Sequence, residues 1–461
     1  MMLPLVLAPT QPTMDRLIGV NAFIDDPVDR IAPPGGFVRE YHNLGWDLEG
    51  ADHKIRFQPS GAAGGNAWFF DDYYRKLKTA GCEVVPCLQG FPTWAFGASR
   101  TDDKPLPPGA DATASASYRR HAEHLFQFAA RYGARRVPDA ALALAPGQPR
   151  LSGLGLIGGI EDWNEPDKTW WGRAARFEPE ELAAMAGADY DGDQGRMGPG
   201  IGVKAADPKL PMAMGGLAGL DLDYLRRMKT WADAHRKGSF PTDAINLHHY
   251  ASTAGEQGFT KETVALSPEA DGLREKMARI VAWRDANLPG KAVWLTEFGY
   301  DTNPDSPLYA RPLGAMMSEA VQAAWLVRGY LALAAAGVDR AAMFMLRDVD
   351  PKDAMQFSSS GLTGPKGDWT PKPSWTAVST LRNTLKGMRF VADVPSGRDD
   401  VRVYRFAGGG GKADVVWCPT SADRRVVGFR WKGRRVVGLD GKETASVGTL
   451  TVSETPQIVL P

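Results

Sequence analysis

The chain has 461 residues, enough for one large domain and a smaller one, and its Lys+Arg and Asp+Glu totals are both 54. This zero net charge gives no indication of nucleic-acid binding, which usually accompanies a strongly basic domain. The residues are 43% hydrophobic and 23% charged, as is typical of a globular protein, and no apolar stretch reaches the roughly 20 residues that a membrane span requires.

Short apolar runs alternate with amphipathic stretches between about residues 16 and 385. The runs predict strands at residues 17–22, 37–41, 83–88, 154–162, 211–215, 244–249, 292–296 and 341–346. Apolar residues at three- and four-residue spacing predict helices at 118–132, 222–235, 273–287 and 318–336. Eight such units close a barrel, so the pattern predicts an α/β fold of the (β/α)₈ (TIM barrel) type. A doubly wound open sheet would show the same alternation.

The pattern changes after a helix-like segment at residues 375–386. Short alternating strands are predicted at 401–406, 413–417, 426–431, 436–439, 449–452 and 457–460. With no long helix among them, they predict a small all-β domain of the sandwich type. We therefore assign residues 1–385 to the barrel and 386–461 to an accessory β-domain, to which residues 1–14 could add a strand.

Two acidic motifs directly follow predicted strands. Glu165 lies in the segment EDWNEPD (161–167) after the fourth strand, and Glu297 lies in WLTEFG (294–299) at the end of the seventh. Parallel barrel strands end at one rim, where barrel enzymes place their sites. Glycoside cleavage needs two such carboxyls, one protonated to donate to the leaving oxygen and one ionised to attack the anomeric carbon. A lone motif of this kind could be a surface turn, but the pair on these two strands favours catalysis.

The paired motifs WNEP and TEFG resemble those of glycoside hydrolase clan A, most closely family 39 and more distantly family 5. The resemblance extends from GVNAF (19–23) to GLTGPKGDWTPKPSW (361–375). It implies a retaining mechanism through a covalent glycosyl-enzyme. In that mechanism Glu165 matches the acid/base, Asn164 the partner of the sugar 2-hydroxyl, and Glu297 the nucleophile.

The same resemblance implies three further site residues. Its H-x-Y pattern maps onto His248 and Tyr250, of which the tyrosine would hydrogen-bond the nucleophile and the histidine would line the sugar site. Arg39 resembles the strand-two arginine that keeps the nucleophile ionised, since a fixed cation lowers the pKa of a nearby carboxyl. The alternative is a surface arginine that pairs with Glu40.

We expect neither a metal nor a cofactor. His248 and His249 are adjacent on a strand, so their side chains point to opposite faces, and no matching His/Cys cluster is present in the sequence. Three cysteines without metal-type spacing predict buried thiols rather than disulfides or a zinc site. They are Cys82, Cys87 and Cys418.

The aromatic residues bear on the substrate. Loop tryptophans are candidates for sugar platforms, although each could equally be a hydrophobic plug. These candidates are Trp94, Trp170 and Trp171. Clan A members usually carry a tryptophan at the end of strand eight, whereas here Phe344 lies nearest that place. The identity of the sugar that binds there is therefore left undetermined. Arg347 could reach an acidic group of the substrate, but pairing with Asp348 or Asp350 is the favoured interpretation.

Two long stretches, 97–116 and 187–209, are predicted to be loops that help to build a cleft. Within the second, residues 189–195 (DYDGDQG) share the acidic spacing of the first three ligand positions of a calcium loop. Gly200 stands where such a loop needs a bidentate glutamate, so we interpret Asp189–Asp193 as part of a turn-rich loop, with calcium binding as the open alternative.

The sequence thus predicts a retaining glycoside hydrolase. Aromatic loops at 68–70, 94–96 and 170–171 favour an oligo- or polysaccharide substrate, and a periplasmic or secreted location would suit it. The opening MMLPLVLAPT nevertheless lacks the positive region of a signal peptide. The alternatives are a non-catalytic carbohydrate-binding barrel, an exo-acting glycosidase on short glycosides, and a metal-dependent hydrolase. No nucleic-acid partner or membrane span is expected, and the sequence indicates neither the sugar nor an oligomeric state.

Overall fold

The computed structural model describes residues 11–49, 56–62, 68–254, 258–260, 262–446 and 448–461. A strand within the first ten residues, as considered for segment 1–14, lies outside the described residues, and Met14 begins a short helix, Met14–Leu17. Within the described ranges, no helix is long and apolar enough to cross a membrane.

Eight strands form a closed parallel barrel in which β1 to β8 are neighbours in chain order and β8 pairs with β1. They are β1 (Ile18–Ala22), β2 (Phe37–Asn43), β3 (Glu83–Gln89), β4 (Ile160–Asn164), β5 (Met212–Gly216), β6 (Ala244–His248), β7 (Ala292–Glu297) and β8 (Arg340–Met343). The predicted (β/α)₈ fold is confirmed, and the open sheet is excluded. Almost every strand residue is buried, because helices cover the outer face and side chains fill the interior.

Seven helices of ten or more residues lie in the described part of the chain. They are α1 (Phe70–Thr79), α2 (Arg119–Tyr132), α3 (Pro179–Asp191), α4 (Leu222–His235), α5 (Leu273–Asn287), α6 (Ser318–Ala336) and α7 (Pro373–Thr384). The predicted bounds of α4, α5 and α6 are confirmed at both ends. Shorter helical turns occur at Val28–Ile31, Leu44–Trp46, Thr93–Ala95, Ser115–Tyr118, Asp139–Ala141, Val203–Ala206 and Pro268–Asp271.

The start of β4 differs from the prediction, which placed it at residue 154 instead of Ile160. The preceding residues follow the end of α2, where the amides of Gly153 and Leu154 donate to the carbonyls of Ala130 and Arg131. These amides therefore pair with carbonyl groups at the end of α2 and cannot form the hydrogen bonds of a β-strand. The apolar run could not distinguish a buried loop from a strand.

Residues beyond Arg389 form an all-β domain, as predicted. A six-stranded antiparallel sheet has the order β9-β10-β11-β16-β13-β14, and β12 pairs with β15. The strands are β9 (Arg389–Asp393), β10 (Arg402–Gly408), β11 (Gly411–Trp417), β12 (Arg425–Arg430), β13 (Arg435–Gly438), β14 (Glu443–Ala445), β15 (Thr449–Ser453) and β16 (Gln457–Leu460). Two of them, β9 and β14, were not predicted, since their exposed residues give little apolar signal.

The β-domain contacts the helices of the barrel through Glu269. The indole of Trp417 on β11 donates to the Glu269 carboxylate at 2.8 Å, and Arg328 of α6 forms an ion pair with the same group. These contacts lie within one of two compact units of the chain, which comprises Met1–Ala22, Asp29–Phe37 and His249–Pro461. The other unit comprises Phe23–Val28 and Val38–His248. The domain division between residues 385 and 386 stays a prediction.

Candidate active site

Glu165 lies one residue beyond the end of β4, in a left-handed turn. Trp163 and Glu165 have φ values of 84° and 45°, and the Glu165 amide donates to the carbonyl of Gly216 at 2.9 Å. The turn directs the chain away from the strand while the Trp163 side chain is fully buried. The Glu165 carboxylate stays partly exposed and lies 3.1 Å from Nδ1 of His248, the last residue of β6. A strand end, a turn and a histidine therefore hold this carboxyl at a solvent-accessible place.

His248 ends β6, one residue earlier than predicted, and His249 follows it; the two side chains take different partners. The His249 ring lies 2.8 Å from the Asp271 carboxylate, and its backbone amide donates to the carbonyl of Glu297. His248 instead faces Glu165. The two imidazoles are therefore not a joint pair of ligands.

Arg39 on β2 is fully buried in an ion pair with Glu161. Its Nε and Nη2 atoms each lie 2.6 Å from a different oxygen of the Glu161 carboxylate. Nη2 also donates to Oδ1 of Asn164 at 2.7 Å, and Nη1 donates to the Tyr41 hydroxyl. A planar guanidinium satisfied on several sides is the form in which a buried cation is stable. This pair fixes the side chain of Asn164 next to Glu165.

The alternative for Arg39, a surface arginine paired with Glu40, is wrong. The two side chains alternate in direction along β2, and the Glu40 carboxylate accepts a hydrogen bond from the Tyr74 hydroxyl at 2.6 Å. Sequence reasoning missed Glu161, although it belongs to the same motif as Glu165. A buried arginine requires an anionic partner, and that requirement was the available signal.

Glu297 is the last residue of β7 and is almost completely buried. The Tyr250 hydroxyl donates to its Oε2 atom at 2.7 Å, the contact expected for this tyrosine. The ring of Tyr250 packs at 4.7 Å from that of Phe357, which lies 5.4 Å from Phe344. This hydrogen bond holds the carboxylate of Glu297 in one orientation. The aromatic cluster keeps the donor in place.

A second carboxyl lies close to Glu165 in the chain. Burial, opposed by the hydrogen bond from the Ala218 amide and assisted by the nearby Glu165 charge, raises the pKa of Asp167 to about 6. That amide donates to Oδ1 of Asp167 at 2.9 Å. Asp167 is therefore a group that ionises near neutral pH beside the candidate acid. Sequence reasoning did not single it out.

The candidate sugar platforms differ in exposure. Trp170 and Trp171, which follow β4, are 53% and 40% exposed, among the most exposed large apolar side chains of the described residues. The Arg100 guanidinium lies 4.0 Å from the Trp171 ring centroid and covers part of that ring. Trp94 lies in the helical turn Thr93–Ala95 and is half-buried. Trp170 therefore offers the most accessible ring of the three.

The carboxylate of Asp348 has Lys372 as a cationic partner. Nζ of Lys372 lies 3.1 Å from Oδ1 and 3.3 Å from Oδ2 of Asp348, and the Gly361 amide donates to Oδ1. Burial raises the pKa of Asp348, and the Lys372 charge opposes this rise only in part. The other carboxylate considered for Arg347, that of Asp350, accepts a hydrogen bond from the Lys352 amide.

The interpretation of residues 189–195 as a turn-rich loop is wrong for its first part, because helix α3 extends to Asp191 and ends at Gly192. Asp191 pairs with Arg236 at 2.9 Å, and Asp193 pairs with Arg196 at 2.7 Å. These two carboxylates therefore have arginine partners. Similar helical structure occurs at Val203–Ala206, so the stretch 187–209 is not one long loop.

Asp189 instead belongs to a fully buried group with His121 and Asp162. Nδ1 of His121 lies 2.8 Å from Asp189, and the potential ligand atoms of all three lie within 4.8 Å of one another. Burial raises the pKa values of the Asp162 and Asp189 carboxyls well above their usual range. It lowers the pKa of the His121 imidazole to about 4. The group could hold a metal ion by composition.

No family model and no curated protein sequence matches the chain. Its structure is similar to that of a family 39 glycoside hydrolase from Bacteroides cellulosilyticus, with 16% identity, a TM-score of 0.65, and coverage of 99% of this chain and 83% of that one. A GH30 endoxylanase from Clostridium papyrosolvens has 12% identity, a TM-score of 0.56 and coverage of 99% and 98%. A family 51 α-L-arabinofuranosidase from Bifidobacterium longum has 13% identity and a TM-score of 0.52, with coverage of 99% of this chain and 95% of that one. These neighbours, all described as glycoside hydrolases, share the fold of this chain.

Proposed function

We propose that the protein is a retaining glycoside hydrolase that cleaves O-glycosidic bonds of an oligo- or polysaccharide by double displacement. The observation that carries the proposal is the position of the two glutamates in one closed barrel: Glu165 directly follows β4, and Glu297 ends β7. Each has its own hydrogen-bond partner, His248 for Glu165 and Tyr250 for Glu297. Solved glycoside hydrolases with the same fold support it.

In the first step, the ionised Glu297 attacks the anomeric carbon while the protonated Glu165 donates its proton to the leaving oxygen. The hydrogen bond from the Tyr250 hydroxyl orients Glu297 for attack. In the second step Glu165 accepts a proton from water, which attacks the glycosyl-enzyme and releases the sugar with its original configuration. The partial exposure of Glu165 suits a group that exchanges protons in each cycle.

Asn164 is suited to bind the 2-hydroxyl of the reacting sugar. Its Oδ1 atom accepts from Arg39, so the amide NH₂ group is the side left to act as a donor. A hydrogen bond at the 2-hydroxyl that strengthens in the transition state contributes to this reaction class. Arg39 therefore acts on the substrate through Asn164, as a positioning residue.

The exposed rings of Trp170 and Trp171 support a substrate of several sugar units, since the flat faces of sugars stack on aromatic rings. A polymer of that kind is met outside the cytoplasm, which favours a periplasmic or secreted enzyme. The non-catalytic binding barrel remains the alternative, and it predicts binding without turnover.

The test begins with a screen of aryl glycosides and polysaccharides, followed by NMR of the first product formed. We expect retained anomeric configuration. The matching 2-deoxy-2-fluoro glycoside should label the protein once, and mass spectrometry should place the label on the peptide that contains Glu297. Glu319→Gln, which changes an exposed glutamate of α6, serves as the control and should keep full activity. An inverted product, or a label on another peptide, would contradict the proposal.

A further inference from the structure

The β-domain contains a cavity of about 750 Å³ that none of the proposed catalytic residues lines. It lies where β10 and β11 meet the end of β12. Its lining residues are Arg405, Lys412, Asp414, Arg430, Trp431, Lys432, Gly433 and Gly448. Four of these eight residues are basic and one is acidic, which is unusual in a chain whose net charge is zero.

The single acidic residue of the lining, Asp414, is already fully engaged. Nε and Nη2 of Arg405 donate to its two oxygens at 2.8 and 2.9 Å, in a bidentate pair between directly opposed residues of β10 and β11. The indole Nε1 of Trp431 donates to the same carboxylate at 3.0 Å. The charges of Asp414 and Arg405 therefore cancel, and neither adds to the net charge of the cavity.

The remaining basic side chains are exposed and lack a charge partner. No carboxylate of the described residues forms an ion pair with Lys412, Arg430 or Lys432. The cavity thus carries three uncompensated positive charges. Clustered charges of one sign repel one another, so the cluster favours a ligand that brings negative charge.

Trp431 forms a fixed wall between these charges. Its ring stacks on Phe429 at a centroid distance of 5.7 Å and an interplanar angle of 12°. Phe429 is buried in the core of the β-domain, and the hydrogen bond to Asp414 holds the other end of the indole. The indole is half-buried and lines the cavity, so an immobilised aromatic surface lies beside the basic groups. Because the indole is already held in place, a ligand that binds to it incurs little further cost in side-chain entropy.

We propose that this cavity binds an anionic saccharide, one that carries carboxylate or sulfate groups. The aromatic ring would stack on the apolar face of a sugar unit, while Lys412, Arg430 and Lys432 pair with its acidic groups. The volume lies within the range of small-ligand sites, about 300–1,000 Å³. A nucleic acid is less suited, because single strands need an extended groove with successive stacking rings. The site would anchor an acidic polysaccharide to the β-domain independently of hydrolysis.

The test measures binding by calorimetry with the intact chain. The probes are a galacturonate trisaccharide, a sulfated trisaccharide, a neutral trisaccharide and a single-stranded thymidine oligonucleotide. We expect one or both acidic trisaccharides to bind at least about tenfold more tightly than the neutral one, with an affinity that falls as salt is added. The stronger of the two identifies carboxylate or sulfate as the recognised group.

Arg430→Glu reverses one charge of the cavity, and Arg425→Glu makes the same change at the other end of β12. The first should weaken binding about tenfold or more, whereas the second, our matched control, should leave it within about twofold. Both should retain wild-type turnover of an aryl glycoside that the wild type cleaves. Lys432→Glu, at an exposed position, provides a second variant with the same expectation.

The proposal would be overturned if neither acidic trisaccharide bound, if Arg425→Glu weakened binding as much as Arg430→Glu, or if the oligonucleotide bound more tightly than both saccharides. Because binding is measured apart from turnover, loss of this site would leave the proposed glycosidase activity standing. Conversely, an inactive protein could still bind the acidic saccharide.

Discussion

The two glutamates proposed for catalysis lie in different compact units and in contrasting surroundings. Glu297 ends a strand, is almost completely buried, and receives a hydrogen bond from Tyr250. Glu165 lies beyond its strand in a left-handed turn, keeps part of its carboxylate exposed, and faces His248. In the proposed mechanism, the buried glutamate is held in one orientation for attack, while the exposed glutamate exchanges protons with water.

The largest effect is expected for Glu297→Ala. Without a nucleophile the covalent route is closed, so turnover of every substrate should fall on the order of 10⁴-fold or more. Azide fits the vacated space and should restore some cleavage with inverted configuration, which NMR of the glycosyl azide would detect. A retained product would mean that the roles of the two glutamates are reversed.

Glu165→Ala should show an effect that depends on the leaving group. Poor leaving groups need the donated proton, so their cleavage should fall about 10²–10⁴-fold. A dinitrophenyl glycoside should still form the glycosyl-enzyme in a rapid burst and then stall, and azide should release it with retained configuration. Stopped-flow absorbance and product NMR check both steps. An equal loss for good and poor leaving groups would argue against an acid/base role.

Tyr250→Phe removes the hydrogen bond to Glu297 and leaves the aromatic ring in its cluster. A hydrogen bond to a charged group contributes about 1.5–3 kcal/mol, so kcat/KM should fall about 10–100-fold. Because the ionised carboxylate loses a donor, the acidic limb of the pH profile should move to higher pH. Thermal unfolding separates this effect from a loss of folding. An unchanged acidic limb would show that Tyr250 does not support the nucleophile.

Asp167→Asn should give the smallest effect. The pKa of Asp167 is raised to about 6, so this group becomes negative as the pH rises through that value. This charge lies close to the candidate acid in the chain, so the ionisation of Asp167 should affect activity near pH 6. Asp167→Asn removes this group, so the kcat/KM profile should shift slightly near that pH. Asp233→Asn on α4 is the control, and a shift of the same size there would exclude a local effect of Asp167.

Much of the barrel followed from sequence patterns that depend on local geometry. Apolar runs and helical spacing predicted eight strands and the bounds of α4, α5 and α6, since side chains repeat every 2.0 residues on a strand and every 3.6 on a helix. The two glutamate motifs could be placed because each directly follows such a run. The all-β domain was recognised for the same reason, except for β9 and β14, whose exposed residues carry little periodic signal.

Only the tertiary structure decided which polar groups meet. The partner of Arg39 is 122 positions away, and Asp189 lies in a helix, buried against residues of α2 and β4. The amides near residue 154 bind the end of α2 instead of joining β4. Periodicity predicts which face of an element is buried, but buried polar groups take whichever partner the packed helices and strands bring within hydrogen-bond distance. That partner is set by the assembled barrel and leaves no local mark in the sequence.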